Sequence, residues 1–357
     1  MFTDRPVTEL SQLYGEGHKE AVKTLRDNVE KGKFTVVLGS RRVGKTSVVR
    51  TFLNHYKYPY VYFDLSPYIG YSGVSYTSLA PAIVGFEDRK LSSEGQINLG
   101  IVRFSFRVSR GAEFENAIVN LFREVNEKFD RFVVVVDEAQ VLPFVRGINF
   151  LGLLQMVHNT MDNVVVVMTG SMPGILERML SPSSKRPMFA RHVEKISVDR
   201  WSREECIKYL EEGFKKEGVE YELEELYEAS EELSRVPGFL ALYGLQRVSG
   251  KAHHEALSDA EERAISLWQG DLEAFLNLYD SPTYVHALWV LSQTAFGMKW
   301  GELMRELGRI ESISRPKLSR VLKNLIAAGM VEKREDKYYV AERPLRKAVL
   351  KSFRLVE

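Results

Sequence analysis

Gly39-Ser40-Arg41-Arg42-Val43-Gly44-Lys45-Thr46 has the G-x-x-x-x-G-K-[ST] spacing of a phosphate-binding loop. With glycine at ~7% of an average protein, the pattern arises by chance in about one chain of this length in a hundred. The flanking residues sharpen the reading. Phe34–Leu38 is a short apolar, β-branched run, the mark of a buried strand. Thr46–His55 carries Val48, Val49, Phe52 and Leu53 at helical spacing. Strand, loop, helix is the order the chemistry needs. Glycines let backbone N–H groups turn inward round an anion, and the helix N-terminus adds the positive end of its dipole. Lys45 is placed for the β- and γ-phosphates and the Thr46 hydroxyl for Mg²⁺. Arg41 and Arg42 lie inside the loop, where either phosphate contacts or outward ion pairs fit them.

About ninety residues further on, Phe132–Val136 is a four-valine run behind a phenylalanine and ends in Asp137-Glu138. A carboxylate leaving the C-terminal end of a buried strand beside a phosphate loop has the position of a Walker B acid. Asp137 then holds Mg²⁺ through water, and Glu138 orients the attacking water. A further strand, Val164–Met168, ends in Thr169-Gly170-Ser171, and Thr169 is expected to sense the γ-phosphate or the lytic water. Arg191 stands just before a last strand at Val193–Val198. Its guanidinium can face a γ-phosphate on a neighbouring subunit, and Lys185 and Arg186 make the alternative a basic surface loop.

The first ~200 residues alternate strand and helix, the pattern of a parallel sheet wrapped by helices. Tyr58–Leu65 reads as a second strand, Glu113–Phe129 and Leu151–Asn159 as helices. Residues 67–112 read as an insertion or lid, with a short helix at Ser75–Phe86 and a hairpin strand at Ile101–Val108. After the sheet, Ser202-Arg203-Glu204-Glu205 forms a capping box. Helices follow over Leu223–Leu233, Phe239–Val248 and Ala256–Leu278. Three units result: a nucleotide-binding α/β core over 1–200, a helical lid over 201–280 and a third unit over 281–357.

That third unit reads as helices Tyr284–Thr294, Trp300–Leu307 and Arg315–Ala328, then a hairpin from Gly329 to Val340, which is the order of a winged helix-turn-helix. At ~100° per residue, Leu318, Val321, Leu322, Leu325 and Ile326 share one face of the third helix. Lys317, Arg320, Lys323 and Asn324 take the other, and Lys333 and Arg334 sit on the wing. Those six are the candidate contacts to double-stranded DNA. Charge agrees: residues 299–357 hold 15 Lys and Arg against 8 Asp and Glu, a net of +7, within a chain whose formal net charge is +1. A protein-docking role is the alternative for this unit.

Composition closes off other classes. Cys206 is the one cysteine, which excludes a disulfide framework or a cysteine-built zinc site. Leu65–Phe86 is uncharged, but its Ser, Thr, Tyr, Gly and Pro content disqualifies it as a membrane span. Met1–Arg5 lacks the apolar stretch of a signal peptide, so a cytoplasmic location is expected. His253-His254 have no partner ligands spaced nearby, which argues against a metal site there.

Together these residues resemble the archaeal ATPase family, a STAND branch related to AAA+ ATPases. The matching pieces are Gly39–Thr46 with Ser47-Val48-Val49, Val133–Gln140, and Met168-Thr169-Gly170-Ser171. Phe189-Ala190-Arg191 resembles the family's Gly-Arg element with alanine in place of the glycine. Ser202–Glu205 and Val236-Pro237-Gly238-Phe239-Leu240 match its helical lid, where the resemblance implies that Pro237 approaches the adenine. Tyr14-Gly15-Glu16-Gly17 stands where the family reads Gly-Arg-Glu and lacks the arginine.

The resemblance implies a nucleotide-binding α/β core, a helical lid and a winged helix; ATP or ADP with Mg²⁺, hydrolysis and a homo-oligomer in the ATP state are the expected ligands, reaction and assembly. The expectation is an ATP-hydrolysing switch whose nucleotide state repositions the winged helix toward DNA or a protein partner. An origin-recognition-like loader and a non-hydrolysing, nucleotide-gated DNA-binding regulator are the alternatives. Glu138 favours hydrolysis over the last of these.

Overall fold

The valine-rich strands are buried on both faces, as a parallel sheet between two helical layers requires. The computed structural model describes residues 1–87, 112–172, 174, 176, 179, 193–279 and 281–353. Its main sheet is built from β1 (Phe34–Leu38), β2 (Tyr60–Asp64), β4 (Ile83–Glu87), β5 (Phe132–Asp137), β7 (Val164–Gly170) and β8 (Val193–Ser197), ordered β4-β2-β5-β7-β1-β8. All neighbours pair in parallel except β4, which runs antiparallel to β2 at one edge. A two-stranded patch of β3 (Val74–Ser75) and β6 (Val145–Arg146) lies apart from it.

Strand periodicity assigns the layers. Val37, Val133, Val135, Val165 and Val167 pack on one face with α1 (Glu16–Glu30) and α2 (Lys45–Tyr56). Val36, Val134, Val136, Val166 and Met168 pack on the other with α4 (Ala112–Lys128) and α5 (Phe150–Thr160). Because β7 separates β1 from β5, the loops leaving β1 and β5 open a crevice at the C-terminal edge of the sheet, where ligands of open α/β folds bind.

The helix expected at Ser75–Phe86 is corrected. That stretch holds a 3-10 turn, the four-residue α3 (Leu79–Ala82) and the edge strand β4. Ile83–Glu87 finds ladder partners along Tyr60–Phe63, which a lone helical turn would not have. Ile101–Val108, Lys185, Arg186 and Phe189-Ala190-Arg191 lie outside the described residues.

Past the sheet come α6 (Arg203–Glu217), α7 (Leu223–Glu232), α8 (Pro237–Val248) and α9 (His253–Leu278). Ser202 caps α6 as a capping box closed by Glu205. The last stretch contains α10 (Pro282–Ser292), β9 (Met298–Lys299), α11 (Trp300–Gly308), α12 (Arg315–Ala327), β10 (Val331–Arg334), β11 (Lys337–Val340) and α13 (Arg343–Ser352). β9 pairs with β11 to widen the hairpin to three strands, and α13 packs back on α9. Residues from Trp201 to Val349 share one apolar core, so the helical and C-terminal stretches are welded rather than merely linked.

On α12 the buried arc is rotated relative to the helical-wheel expectation. Asn324 is buried and donates to the Tyr284 hydroxyl at 2.6 Å, while Ile326 is 39% exposed. Asn324 is therefore not a nucleic-acid contact: α10 lies beneath it and supplies its hydrogen-bond partner. Arg320 and Lys323 are exposed as expected. Lys317 is half-buried, with its ammonium 3.5 Å from Glu311.

Candidate nucleotide-binding site

The loop between β1 and α2 is shaped by close contacts. A Cβ at Gly39 would lie 2.2 Å from the Val198 carbonyl oxygen, so only glycine fits there. Arg42 (φ 61) and Gly44 (φ 105) both turn left-handed, which aims successive N–H groups inward. Lys45 is buried and its ammonium donates to the Ser40 carbonyl at 2.8 Å, folded over the loop it belongs to. Burial lowers its pKa against the pull of Glu138 and Asp137. Ser47 receives the Val7 N–H at 3.1 Å and so ties the N-terminal segment to the loop's helix.

Sheet register brings the acids alongside. The Thr46 hydroxyl donates to Asp137 at 3.0 Å and the Tyr62 hydroxyl at 2.5 Å. Burial, then the adjacent Glu138, raises the pKa of Asp137 despite these donors. Glu138 leaves the strand in a left-handed conformation (φ 59), uncommon for a non-glycine residue. Its carboxylate accepts from the Ser171 N–H at 3.1 Å, the Ser171 hydroxyl at 2.6 Å and the Gln140 amide at 2.5 Å. Burial works against its ionised form, but Lys45, Ser171 and Gln140 together hold its pKa below the usual range.

Thr169 stands at the end of β7, beside β5 and its acids. It is fully buried; its hydroxyl donates to Asp137 and accepts from the Glu138 N–H, the latter at 3.1 Å. Because β7 lies beside β5, the side chain at the strand end points at the acid rather than into the cavity. Thr169 thereby ties Asp137 to the backbone of Glu138.

A cavity of about 560 Å³ opens over the loop. Arg42, Gly44, Lys45, Thr46, Ser47 and Glu138 line its floor, and Pro237, Gly238 and Phe239 its lid side. The lid meets the loop directly: the Gly238 N–H donates to the Arg42 carbonyl at 3.0 Å. A Cβ at Gly238 would press within 2.9 Å of the Arg42 side chain. Arg41 also lines the cavity and pairs there with Asp271 of α9.

Several lining residues carry no sequence signal of their own. The His18 Nε2–H donates to the Val43 carbonyl at 2.5 Å, and burial lowers its pKa. Tyr14 and Trp201 stack edge-on at 5.4 Å on the same wall. The Trp201 indole N–H is buried with no hydrogen-bond partner among the described residues. Met1 and Thr3–Val7 cross the mouth, anchored by the Met1 ammonium on Glu217 at 3.0 Å.

The C-terminal stretch also reaches the loop. Glu342 is buried, accepts from the Trp268 indole N–H at 2.9 Å and lies close to the Ser40 side chain. Arg200 donates to the Ala341 carbonyl at 2.8 Å and pairs with Glu332. Burial pushes the Glu342 pKa from 4.5 up to about 7. Folding therefore favours its protonated form, and that stabilisation is complete below about pH 4.5 and lost as pH rises through about 7. Melts from pH 5 to 8 are expected to fall more steeply for the wild type than for Glu342→Gln, by up to about 3 kcal/mol. Parallel curves would show that Glu342 does not titrate at this contact.

The family model for an ATPase domain found predominantly in Archaea matches residues 19–236. The chain belongs to that family. This ATPase superposes on the Walker-type ATPase paby2304 of Pyrococcus abyssi with a TM-score of 0.82 at 23% identity, over 97% of this chain and 98% of that one. The ORC2 protein of Aeropyrum pernix, solved in ADPNP and ADP complexes, matches with a TM-score of 0.60 at 12% identity, over 98% of each chain. At such identities both likenesses show the fold alone. No match is found among the curated proteins. Among the described residues of the ATPase, no helix is long and apolar enough to cross a membrane.

Proposed function

We propose that this ATPase is a switch that binds Mg²⁺-ATP at the β1–α2 loop, hydrolyses it, and passes its nucleotide state to the C-terminal stretch. The observation that carries this reading is that one loop touches three separate elements of the helical and C-terminal stretches. Ser40 meets Glu342, the Arg42 carbonyl meets Gly238, and Arg41 meets Asp271. A phosphate drawing the loop's N–H groups and Lys45 inward acts on all three contacts.

Within that reading Gly39, Ser40, Val43 and Gly44 supply backbone to the phosphates, and Lys45 gives up the Ser40 carbonyl for the β- and γ-phosphate oxygens. The hydroxyl of Thr46 and the carboxylate of Asp137, 3.0 Å apart, form the hard oxygen pair that suits Mg²⁺. The metal supplies charge neutralisation on the phosphates when bound. Glu138, held ionised by Lys45, Ser171 and Gln140, orients the attacking water and accepts its proton. Pro237 borders the base, with Tyr14, His18 and Trp201 also lining the cavity. Arg191 reaches the γ-phosphate of a neighbouring subunit in an ATP-state homo-oligomer.

A loader of the origin-recognition kind fits less well. Pro237-Gly238-Phe239-Leu240-Ala241-Leu242 offers no arginine to the cavity. The first arginine on that helix, Arg247, is buried against Phe214 and Glu225.

The output is read as a winged helix that contacts double-stranded DNA through Arg320 and Lys323 of α12, with Lys317 flanking and Lys333 and Arg334 on the hairpin. Lys317→Ala, Arg320→Ala and Lys323→Ala together are expected to weaken DNA binding by the full-length protein. The slope of log affinity against log salt should flatten by about 2, since each free phosphate contact contributes about 0.9 and Lys317 is already engaged by Glu311. Reversing Lys333 and Arg334 should weaken binding with less loss of sequence preference, because hairpin contacts mainly position the duplex. Equal affinities and slopes for the wild type and the triple variant would transfer the output to a protein partner.

A further inference from the structure

We propose that Asp271 makes the site discriminate against the third phosphate, so that the resting protein prefers a nucleoside diphosphate and release of Asp271 from Arg41 marks the triphosphate state. This rests on the nucleotide reading given above.

Asp271 belongs to α9, more than two hundred residues from the loop, yet its side chain is only 8% exposed and lines the cavity. Its carboxylate pairs with Arg41 and shares the cavity lining with Arg42, Lys45 and Glu138, whose charges act on it. Lys45 and Glu138 are the groups aimed at the γ-phosphate and its attacking water, so the fixed negative charge stands at that end of the cavity. Burial raises the pKa of Asp271 to about 6 even though three cations surround it, which marks a carboxylate held where an anion is costly.

Two effects then act in the same direction. A γ-phosphate adds negative charge next to a desolvated carboxylate, where screening by water is weak. The guanidinium that would offset this charge is already committed to Asp271, so the triphosphate must win Arg41 away. A diphosphate, held further back by loop N–H groups, meets less of both. One turn earlier on the same helix Trp268 holds Glu342, so displacement of Asp271 bears on the contact that joins α9 to the C-terminal stretch.

The test is calorimetric titration of the full-length protein with ADP and with AMP-PNP, both in Mg²⁺ buffer, for the wild type and Asp271→Asn. The substitution keeps shape and removes charge; Asp271→Ser, read the same way, covers the case in which the asparagine variant melts early. AMP-PNP affinity is expected to rise about tenfold and ADP affinity by less than about threefold, the difference of one added charge near a buried one. Unchanged or weaker AMP-PNP binding in a folded variant would overturn the inference and make Asp271 a group that holds the nucleotide. A wild type that binds neither nucleotide would instead overturn the reading of the site on which the inference stands.

Discussion

Glu138→Gln is expected to bind ATP as the wild type does and to turn it over at least about 10²-fold more slowly, the usual contribution of a positioned general base. Glutamine keeps the shape and can still accept from the Ser171 N–H and hydroxyl, so the left-handed turn at residue 138 is retained. What it loses is the negative charge that Lys45 stabilises and that draws a proton from water. Single-turnover phosphate release, run beside nucleotide titration, separates the two effects. Turnover at the wild-type rate would remove Glu138 from the chemistry and leave the carboxylate as an anchor for Ser171.

Lys45→Ala should act earlier, on binding itself. The ammonium is buried and satisfied by one carbonyl, the Ser40 oxygen, which leaves the rest of its donor capacity for phosphate. Charge-assisted hydrogen bonds contribute about 1.5–3 kcal/mol each, so losing contacts to two phosphates should weaken ATP binding by about 10²-fold or more. Removal of the cation also leaves Glu138 beside Asp137 without its counter-charge, and part of the effect will come as repulsion of the incoming phosphates. ATP affinity within threefold of wild type, about 0.7 kcal/mol, would contradict the placement of Lys45 on the phosphates.

The parts of the site visible in sequence are those whose geometry is local. Gly39–Thr46 carries its own strand, turn and helix start, and the valine run before Asp137-Glu138 declares a strand buried on both faces whichever neighbours it finds. Ser202–Glu205 likewise closes its own cap. His18, Trp201, Asp271 and Glu342 are different. Each looks like an ordinary helix or loop residue in its own stretch, and reaches the loop only because α1, α9 and the α13 N-terminus pack around it. The contacts of Thr169 depend on register: the end of β7 faces Asp137 because β7 inserts between β1 and β5, an order the chain does not reveal locally.

Helical spacing on α12 gave the right period but not the absolute rotation. Tyr284 beneath the helix turned Asn324 inward and left Ile326 facing out. A two-residue strand such as β9 has too few positions to show a period, and β4, a five-residue run, is ambiguous between strand and helix. His253-His254 illustrate the same limit. Glu228 of α7 lies within 4.8 Å of their ring nitrogens, although nothing in the sequence around them announces it. His253 bonds Tyr243 at 2.8 Å and Glu228 at 3.0 Å, so these protein groups already satisfy the buried ring.

The central claim is that the nucleotide held by the loop governs the hairpin and helix that follow Met330. Amide hydrogen exchange across residues 331–345 measures it most directly, in Glu138→Gln protein saturated with ADP and then with ATP, where slow turnover keeps the two states apart. The Ala341 N–H bonds the Met330 carbonyl at 3.0 Å at the base of the hairpin, next to the Arg200 and Glu342 contacts. Protection of this segment should differ between the two nucleotides, with exchange faster when ATP draws Ser40 and Arg41 away from Glu342 and Asp271. Identical protection, with both nucleotides shown to be bound, would contradict the coupling and leave a hydrolytic site with no path to the C-terminal stretch.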